Sequence, residues 1–216
     1  MPCLTRLCCA SAVLAAISAP VFAGDITTEW ASVKPPPVPE LKPVTVDPKT
    51  TALLVLDFMK DNCGQRPLCI ATLPNVKKLI DSARAQNMAV FYTLVGKDPT
   101  PANMVDQSLV PHADDFIVKG SAGAGDKFIN SNLDQGLKDK GIKTVIVIGT
   151  SAQVAVGGTA LGAAERGYKA VVPVDGMSSE DAYNEQYAAW HIYKGGPQVL
   201  VKNATLTRSD LIKFGS

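Results

Sequence analysis

The residues of this chain that could do chemistry lie at the ends of apolar stretches. Asp57 closes one such run, and Lys119 follows Phe116–Val118 and precedes the glycine-rich segment Gly120–Gly125. Burying an unpaired carboxylate is costly, so one at a strand end needs a partner or a function. Asp57 is therefore a candidate general acid or base, or else a structural carboxylate that caps the next turn. The Lys119 ammonium can hold an anion or stabilise developing negative charge, unless it is simply a solvated lysine.

A third candidate segment runs from Lys143 to Ala160 and is typical of a buried strand that breaks at Gly149-Thr150 into a helix. The start of that helix carries Ala155. Backbone N–H groups at a helix start can cradle a carboxylate. Five residues around the break are predicted to bind the substrate: Gly149, Thr150, Ser151, Gln153 and Val154.

The same segment permits a serine-hydrolase interpretation. Gly149–Gln153 nearly matches the Gly-x-Ser-x-Gly nucleophile elbow, and Ser151, Asp175 and His191 occur in the matching chain order. Two features argue against it. Gln153 stands where glycine is required, and His191 falls within a predicted helix whose face is rich in aromatic residues. The triad is kept as a lesser alternative.

The first 23 residues have the pattern of a secretory signal peptide. Arg6 is their one charged residue, Ala10–Ala19 is a short apolar run, and Val21-Phe22-Ala23 offers a cleavage site before Gly24. The apolar run is too short to span a bilayer. We therefore predict an exported protein, periplasmic or secreted, that is cleaved after Ala23.

Charge and composition exclude several partners. The chain has 21 basic and 20 acidic residues, and cleavage removes one basic residue, which leaves a net charge of zero. No basic stripe is visible, so nucleic acid and, after cleavage, the membrane are not expected partners. Gly120–Gly125 resembles the first half of a P-loop, but Asp126 stands where lysine must follow. We expect a small-molecule substrate or ligand, no cofactor, and a possible homo-oligomer.

Two cysteines remain after cleavage, Cys63 and Cys69, and the residues between them favour a turn. In an oxidising compartment this spacing favours a disulfide over two free thiols. His112 and His191 are the chain's two histidines, too few beside these cysteines to make a zinc site a good interpretation. We predict a disulfide that fixes the loop shortly after Asp57, and no metal.

Apolar runs of strand length alternate with amphipathic stretches from Thr51 onward. This order predicts an α/β fold, a three-layer αβα sandwich around an open, mostly parallel, Rossmann-like sheet of about six strands. Residues 24–50 are rich in proline and predict an extended arm, and residues 51–216 form the predicted domain. Strands are expected at the following segments: Ala52–Phe58, Ala89–Leu94, Phe116–Val118, Thr144–Ile148, Ala170–Val174 and Gln198–Val201. Helices are expected at Leu73–Gln86, Lys127–Lys140, Ala152–Arg166 and Glu180–Lys194.

In such a sheet, ligands bind outside the carboxyl ends of the strands. Asp57, Lys119, Gly149–Ala155 and Asp175 all fall at or just past predicted strand ends. Their shared placement predicts one site.

With Leu56–Met59, Lys119 and the 143–160 segment together, the chain closely resembles the isochorismatase-like hydrolase superfamily over roughly residues 50–200. That family places an Asp after its first strand, a Lys after its third, and a nucleophilic Cys at the start of the helix after its fourth. Asp57 and Lys119 match the first two positions, and Ala155 takes the third. Met59 departs from the glutamine common two residues after the Asp.

The resemblance implies a hydrolase that works without a covalent cysteine intermediate, because alanine supplies no nucleophile. Isochorismatases also lack the cysteine. Their Asp protonates a vinyl ether carbon, and water captures the resulting oxocarbenium ion. By analogy, Asp57 is the predicted general acid or base, with a raised pKa, and Lys119 the electrostatic stabiliser. The alternative is an inactive member of the family that binds a small molecule without turnover.

Overall fold

Two strands with apolar interiors form the centre of the sheet. A computed structural model describes residues 24–121 and 123–215, so the predicted leader lies outside the described residues. Strands β2 (Thr51–Leu56) and β5 (Thr144–Thr150) run parallel and side by side. Every residue of β2 is buried, as expected where helices cover both faces of a sheet.

The other elements follow in the order expected of an α/β fold. The remaining strands are β1 (Val44–Val46), β3 (Ala89–Thr93), β4 (Phe116–Ile117), β6 (Lys169–Pro173), β7 (Met177–Ser178), β8 (Ala204–Thr207) and β9 (Ile212–Phe214). The α-helices are α1 (Ile26–Glu29), α2 (Lys60–Cys63), α3 (Pro67–Ala85), α4 (Leu133–Asp139), α5 (Gly157–Glu165), α6 (Ala182–Trp190) and α7 (Gln198–Asn203). A π-helical turn, Ala152–Val156, leads into α5, and a second one, His191–Gly195, follows α6. None of the helices in the described ranges is long and apolar enough to cross a membrane.

The main sheet has the order β4-β3-β2-β5-β6-β8, with β7 added beside the end of β5, and all its pairings are parallel. The chain first builds outward from β2 through β3 to β4 and then returns to the other side of β2 with β5. The strand order therefore reverses between β2 and β5. In open α/β sheets this reversal opens the crevice in which ligands bind.

Two apolar layers cover the sheet. One is formed on the α3 side and includes Val76 and Ile80 of that helix. The other contains α4 to α7 and includes Leu137, Ala160 and Leu200. The predicted three-layer α/β sandwich with a mostly parallel sheet is confirmed.

The proline-rich segment is only partly the arm that its composition predicts. Residues 24–36 belong to a separate unit that contains α1, which Asp25 caps by accepting from the N–H groups of Thr27 and Thr28. Further along, β1 pairs in parallel with β9, and Val46 is buried. The prediction of an arm up to residue 50 is therefore wrong for β1, because its alternating valines pair with and pack against the end of the chain.

Several predicted bounds differ from the structure; α3, for example, begins at Pro67 and not at Leu73. Two differences change the assignment of a segment. Gln198–Val201 is not the strand that its apolar run predicts but the first part of α7, which begins after Pro197; the last strand of the sheet is Ala204–Thr207 instead. A four-residue apolar run cannot by itself distinguish a strand from a buried helix turn. The helix predicted from Lys127 begins only at Leu133, so Lys127 lies in the loop before it.

Candidate active site

Asp57 lies directly beyond β2, at the crevice between β2 and β5. Its backbone adopts a left-handed conformation with φ 62°, and its side chain is buried. Thr93, at the end of β3, donates its hydroxyl to Asp57 Oδ1 at 2.5 Å. On the other carboxylate oxygen, Lys127 Nζ lies 2.7 Å from Oδ2. Both oxygens of this carboxylate are therefore occupied by buried partners.

Burial dominates the electrostatics of Asp57. Desolvation raises the pKa of its carboxyl group above the ordinary value of 3.8, while the Lys127 charge and hydrogen bonds from Lys127 and Thr93 act in the opposite direction. A buried carboxyl group with a raised pKa holds a proton to a higher pH than an exposed one. The expected upward shift in pKa thus has a physical cause in the structure.

The loop that carries Lys127 is fixed on the first turn of α5. The Lys127 N–H donates to Thr159 Oγ1 at 3.1 Å. Gly158 lets the loop approach, since a Cβ there would lie 2.9 Å from the carbonyl carbon of Gly125. Asp126, the residue before Lys127, accepts a hydrogen bond from the Phe128 N–H at 2.9 Å. Its Oδ2 lies 3.5 Å from Arg166 Nη1. Lys127 is therefore held by α5 and does not simply extend from a strand end.

Lys119 does not take the place predicted for it. It lies just beyond β4 and is exposed, and its N–H donates to Asn132 Oδ1 at 2.7 Å. The ammonium that pairs with Asp57 comes from Lys127, eight positions later and on the far side of the glycine-rich loop. The interpretation of Lys119 as the electrostatic partner of Asp57 is corrected accordingly. Sequence reasoning missed Lys127 because the pattern assigns this residue to a helix. The large apolar side chain of the next residue, Phe128, is the signal that this segment turns toward the core, where Phe128 is buried.

Ala155 lies in the π-helical turn after β5 and is 2% exposed, packed in the apolar layer that includes Phe128. The preceding Thr150–Ser151 peptide is cis. Two N–H groups of the turn, those of Val154 and Val156, already donate to Ser151 O at 3.1 and 3.3 Å. The side chain that the turn presents at this position is a buried methyl group.

The five residues predicted to bind substrate separate into two groups. Gly149 and Thr150 are buried, and a Cβ on Gly149 would lie 2.6 Å from the Leu56 carbonyl oxygen. Ser151 and Gln153 are half-buried and Val154 is 50% exposed, so these three reach the surface. Gln153 Oε1 accepts from Ser179 Oγ at 2.6 Å.

The predicted serine triad is not assembled. Ser151 Oγ accepts from Arg66, Asp175 accepts from the backbone N–H and hydroxyl of Ser209 at 2.8 and 2.7 Å, and His191 stacks on Tyr187. Each proposed member is thus engaged by a different neighbour. The Ser151/Asp175/His191 interpretation is wrong, because Asp175 is held by the chain that follows β8 and His191 lies in the turn after α6.

Arg66 carries no motif in the sequence, yet it lies at the end of β5. Its Nη1 donates to Ser151 Oγ at 3.0 Å and lies 3.4 Å from Thr150 Oγ1, and its Nη2 pairs with Glu180 at 2.9 Å. Arg66 precedes α3, between the two cysteines. The Cα atoms of Cys63 and Cys69 are 5.4 Å apart, within the range that a disulfide spans. Oxidation of this pair in the purified protein stays a prediction.

Within residues 24–121 and 123–215, no group of three His, Cys, Asp or Glu side chains is arranged to hold a metal ion. The polar groups at this edge of the sheet are instead a carboxylate, an ammonium, a guanidinium and hydroxyls. These groups suit proton transfer and the binding of anions.

Comparison with known proteins identifies the family of this chain. The family model described as the isochorismatase domain matches residues 51–203. An uncharacterised isochorismatase family protein of Bacillus subtilis is 27% identical over 163 residues, which cover 63% of this chain and 82% of that protein. The secreted isochorismatase effector of Verticillium dahliae is 28% identical over 121 residues, covering 51% of this chain and 62% of the effector. Among solved structures, a cysteine hydrolase from Pseudomonas syringae superposes with a TM-score of 0.66 at 21% identity, covering 79% of this chain and 94% of that one. Since the domain model spans most of the chain, the protein belongs to the isochorismatase family.

Proposed function

We propose that the protein is a hydrolase of a small molecule that works without a covalent cysteine intermediate. Asp57 is the general acid, Lys127 is its electrostatic partner, and Ala155 stands where cysteine members of the family carry their nucleophile. The observation that carries the proposal is the buried Asp57–Lys127 pair, with its 2.7 Å contact, at the crevice between β2 and β5. A buried ion pair contributes little net stability, so its position at this crevice favours a chemical role.

The proposed reaction starts from Asp57 in its neutral form. The carboxylic acid gives its proton to the substrate, at the carbon of a vinyl ether or at another basic atom of the bond to be cleaved. Water adds to the cation that forms and gives one proton to the Asp57 carboxylate. The remaining hydroxyl proton passes to the leaving oxygen as the bond to it breaks, which releases an alcohol and a carbonyl compound. Desolvation favours the acid before the transfer, while Lys127 and Thr93 stabilise the carboxylate after it.

The alanine at position 155 excludes a covalent intermediate at this position and leaves the direct attack of water. A thioester intermediate needs a thiolate, and a methyl group offers neither a nucleophile nor a proton. Water must therefore attack the substrate directly. The surface formed by Ser151, Gln153 and Val154 is the proposed contact for the rest of the molecule.

We further propose that the protein is exported and that residues 1–23 are removed. The support is the leader-like composition of those residues, together with the similarity to a relative that is described as secreted. Mass spectrometry of protein from the native host should find Gly24 as the first residue. Recovery of the intact chain from the cytosol would contradict this part of the proposal.

The activity itself is tested with a panel of small vinyl ethers, esters and amides. Wild-type protein is compared with Asp57→Asn and Lys127→Met, with Lys119→Met as a matched control that removes an exposed lysine of the same region. We expect turnover that the first two substitutions abolish and the control retains. Turnover insensitive to Asp57→Asn and Lys127→Met would rule out the proposed assignment.

One observation favours a second candidate, a small-molecule-binding protein without turnover. The contact with Lys127 stabilises the carboxylate of Asp57 and so opposes the acid that the reaction needs. In that case a ligand raises the melting temperature, while none of the panel compounds is consumed. Ala155→Cys is informative here, because a gain of amide hydrolysis would indicate that the remaining groups are competent.

A further inference from the structure

Arg66 brings a second cation to the crevice from the opposite helical layer. Asp57 and Lys127 meet on the side covered by α5, whereas Arg66 precedes α3. Its Nη1 reaches the hydroxyls of Thr150 and Ser151. Leu56 pairs with Gly149 at the end of two adjacent strands, which lie about 4.8 Å apart. Asp57 directly follows one of these strands and Thr150 closes the other. Arg66 therefore reaches the same edge of the sheet as the proposed acid.

The partner of Arg66 can be replaced by a ligand. Glu180 accepts from Nη2 at 2.9 Å, but its own side chain is 64% exposed, against 23% for Arg66. Exposed ion pairs of this kind contribute little to stability. A ligand carboxylate can therefore take the place of the Glu180 carboxylate on a guanidinium whose other arm is fixed by Ser151.

The hydroxyl of Ser178 lies next to Thr150 in the sheet. Ser178 is the register partner of Thr150 across β5 and β7, so the two side chains leave the sheet on the same face. Ser178 Oγ is buried and has no hydrogen-bond partner among the described residues. Buried hydroxyls are normally hydrogen-bonded, so Ser178 is an unpaired polar group beside the Thr150 and Ser151 hydroxyls that Arg66 contacts.

We propose that Arg66 determines specificity by binding a carboxylate of the substrate, which makes small organic acids the substrate class of this site. The proposal rests on the proposed function and deepens it. Nη2 can donate to a ligand carboxylate as it now does to Glu180, while Nη1 stays on Ser151, so the two arms of the guanidinium fix the orientation of the charge. With the carboxylate held at the end of β5, the rest of the molecule extends over the crevice toward Asp57.

The test measures binding, so that it does not depend on turnover. Matched pairs of an acid and its amide, benzoate with benzamide and fumarate with fumaramide, are titrated calorimetrically into the purified protein. The wild-type protein should bind each acid about 10- to 100-fold more tightly than its amide, as charge-assisted hydrogen bonds allow. Arg66→Gln should reduce that ratio to within about twofold, and Arg66→Lys should restore it only in part, because lysine lacks the fork.

Two further variants separate a specificity role from a structural one. Glu180→Gln removes the competing carboxylate and should tighten binding of the acids by a few fold while leaving the amides unchanged. Arg208→Gln removes an exposed arginine beside Asp175 and should not alter the ratio. A wild-type protein without preference for the acids, a preference that survives Arg66→Gln, or weaker acid binding in Glu180→Gln would each overturn the inference.

The proposed function and this inference are tested by different measurements: turnover in wild type and Asp57→Asn for the function, and the acid-to-amide binding ratio in wild type and Arg66→Gln for the inference. If none of the panel compounds is turned over, the proposed function fails, and the acid-to-amide ratio still decides the role of Arg66. If turnover depends on Asp57 while the ratio is unaffected by Arg66→Gln, the function stands and this inference alone fails.

Discussion

Asp57 and Asp175 occupy similar places in the sheet, each shortly beyond the carboxyl end of a buried parallel strand, yet their surroundings differ. Asp57 is contacted by the side chains of Thr93 and Lys127. Asp175 accepts from the backbone N–H and the hydroxyl of Ser209, with Arg208 at 3.7 Å. One carboxylate is held by a buried ammonium at the crevice of the sheet, and the other fastens the segment after β8.

The difference shows that an acidic residue at a strand end acquires its role from the segment that reaches it. At Asp57 that segment is the glycine-rich loop anchored on α5, which delivers a charge. At Asp175 it is a short turn that delivers hydrogen bonds. The two carboxylates can therefore be compared by matched substitutions.

The largest expected effect is that of Asp57→Asn on activity. Asparagine tolerates the positive φ of this position but cannot donate the proton, so kcat should fall by about 10²- to 10⁴-fold. The matched variant Asp175→Asn should keep kcat within about twofold. Equal losses in the two variants would remove the distinction between the two carboxylates.

Lys127→Met should come next, with a loss of about 100-fold in kcat/KM, because the charge that stabilises the Asp57 carboxylate after proton transfer is removed. Removing the ammonium should also raise the pKa of Asp57 further, since the Lys127 charge lowers it. Lys119→Met should change kcat/KM by less than about twofold, as measured by steady-state kinetics. A larger effect of Lys119 than of Lys127 would contradict the pairing of Lys127 with Asp57.

Asp175→Asn should act on stability instead. Loss of charge-assisted hydrogen bonds to Ser209 should lower the free energy of unfolding by about 2 to 3 kcal/mol. Urea denaturation followed by circular dichroism measures the change. Ser209→Ala removes only the hydroxyl and should cost less than Asp175→Asn does.

The two regions also differ in the elements that come after each carboxylate. Asp57 is followed by α2 and the cysteine pair, whereas Asp175 is followed by β7, which pairs with β5. Replacing both cysteines by serine should lower the free energy of unfolding by about 2 kcal/mol at most, because the loop is short. It should weaken acid binding more noticeably, since Arg66 lies between the cysteines. Mass spectrometry without reductant should find a bridged peptide in wild-type protein, and two alkylatable thiols would contradict the bond.

The smallest effect is a gradual dependence on pH. Burial raises the pKa of Asp57 above 3.8, so the folded protein holds this proton more tightly than the unfolded chain. The free energy of unfolding should therefore fall as the pH rises from the unfolded pKa through the folded one, and kcat should fall over the same range as the acid is lost. The difference between wild type and Asp57→Asn in urea denaturation isolates this contribution. A difference that grows with pH in favour of the wild type would contradict the sign.

The fold could be predicted from sequence because its central strands have apolar interiors and are separated by amphipathic helices. The position of Asp57 followed from the same pattern. Lys127 did not, because two lysines follow β4 and only the path of the loop decides which one turns inward. That path depends on the close approach of Gly125 to Gly158, a contact between segments far apart in the sequence.

Arg66 and β1 escaped sequence reasoning for a related reason. Arg66 sits among turn residues without periodicity, and its partners Thr150, Ser151 and Glu180 are more than 80 positions away. The valines of β1 are masked by surrounding prolines, and their partner strand is β9 at the opposite end of the chain. Local patterns predict the elements, whereas pairings between distant segments depend on the three-dimensional path of the chain.

The parallel pairing of β1 with β9 has a mechanical consequence. Tension applied to the two ends of the chain pulls β1 backward from its first residue and β9 forward from its last. Because the strands are parallel, this force slides one along the other and loads the hydrogen bonds between them together, including the bond from the Gly215 N–H to Val46 O. Val46 and Ile212, both buried, must also leave the apolar layer as the strands separate. The β1–β9 pair joins the two ends of the domain outside the main sheet. Under tension this pair should separate before the strands that precede Asp57 and Ser151 lose their hydrogen bonds.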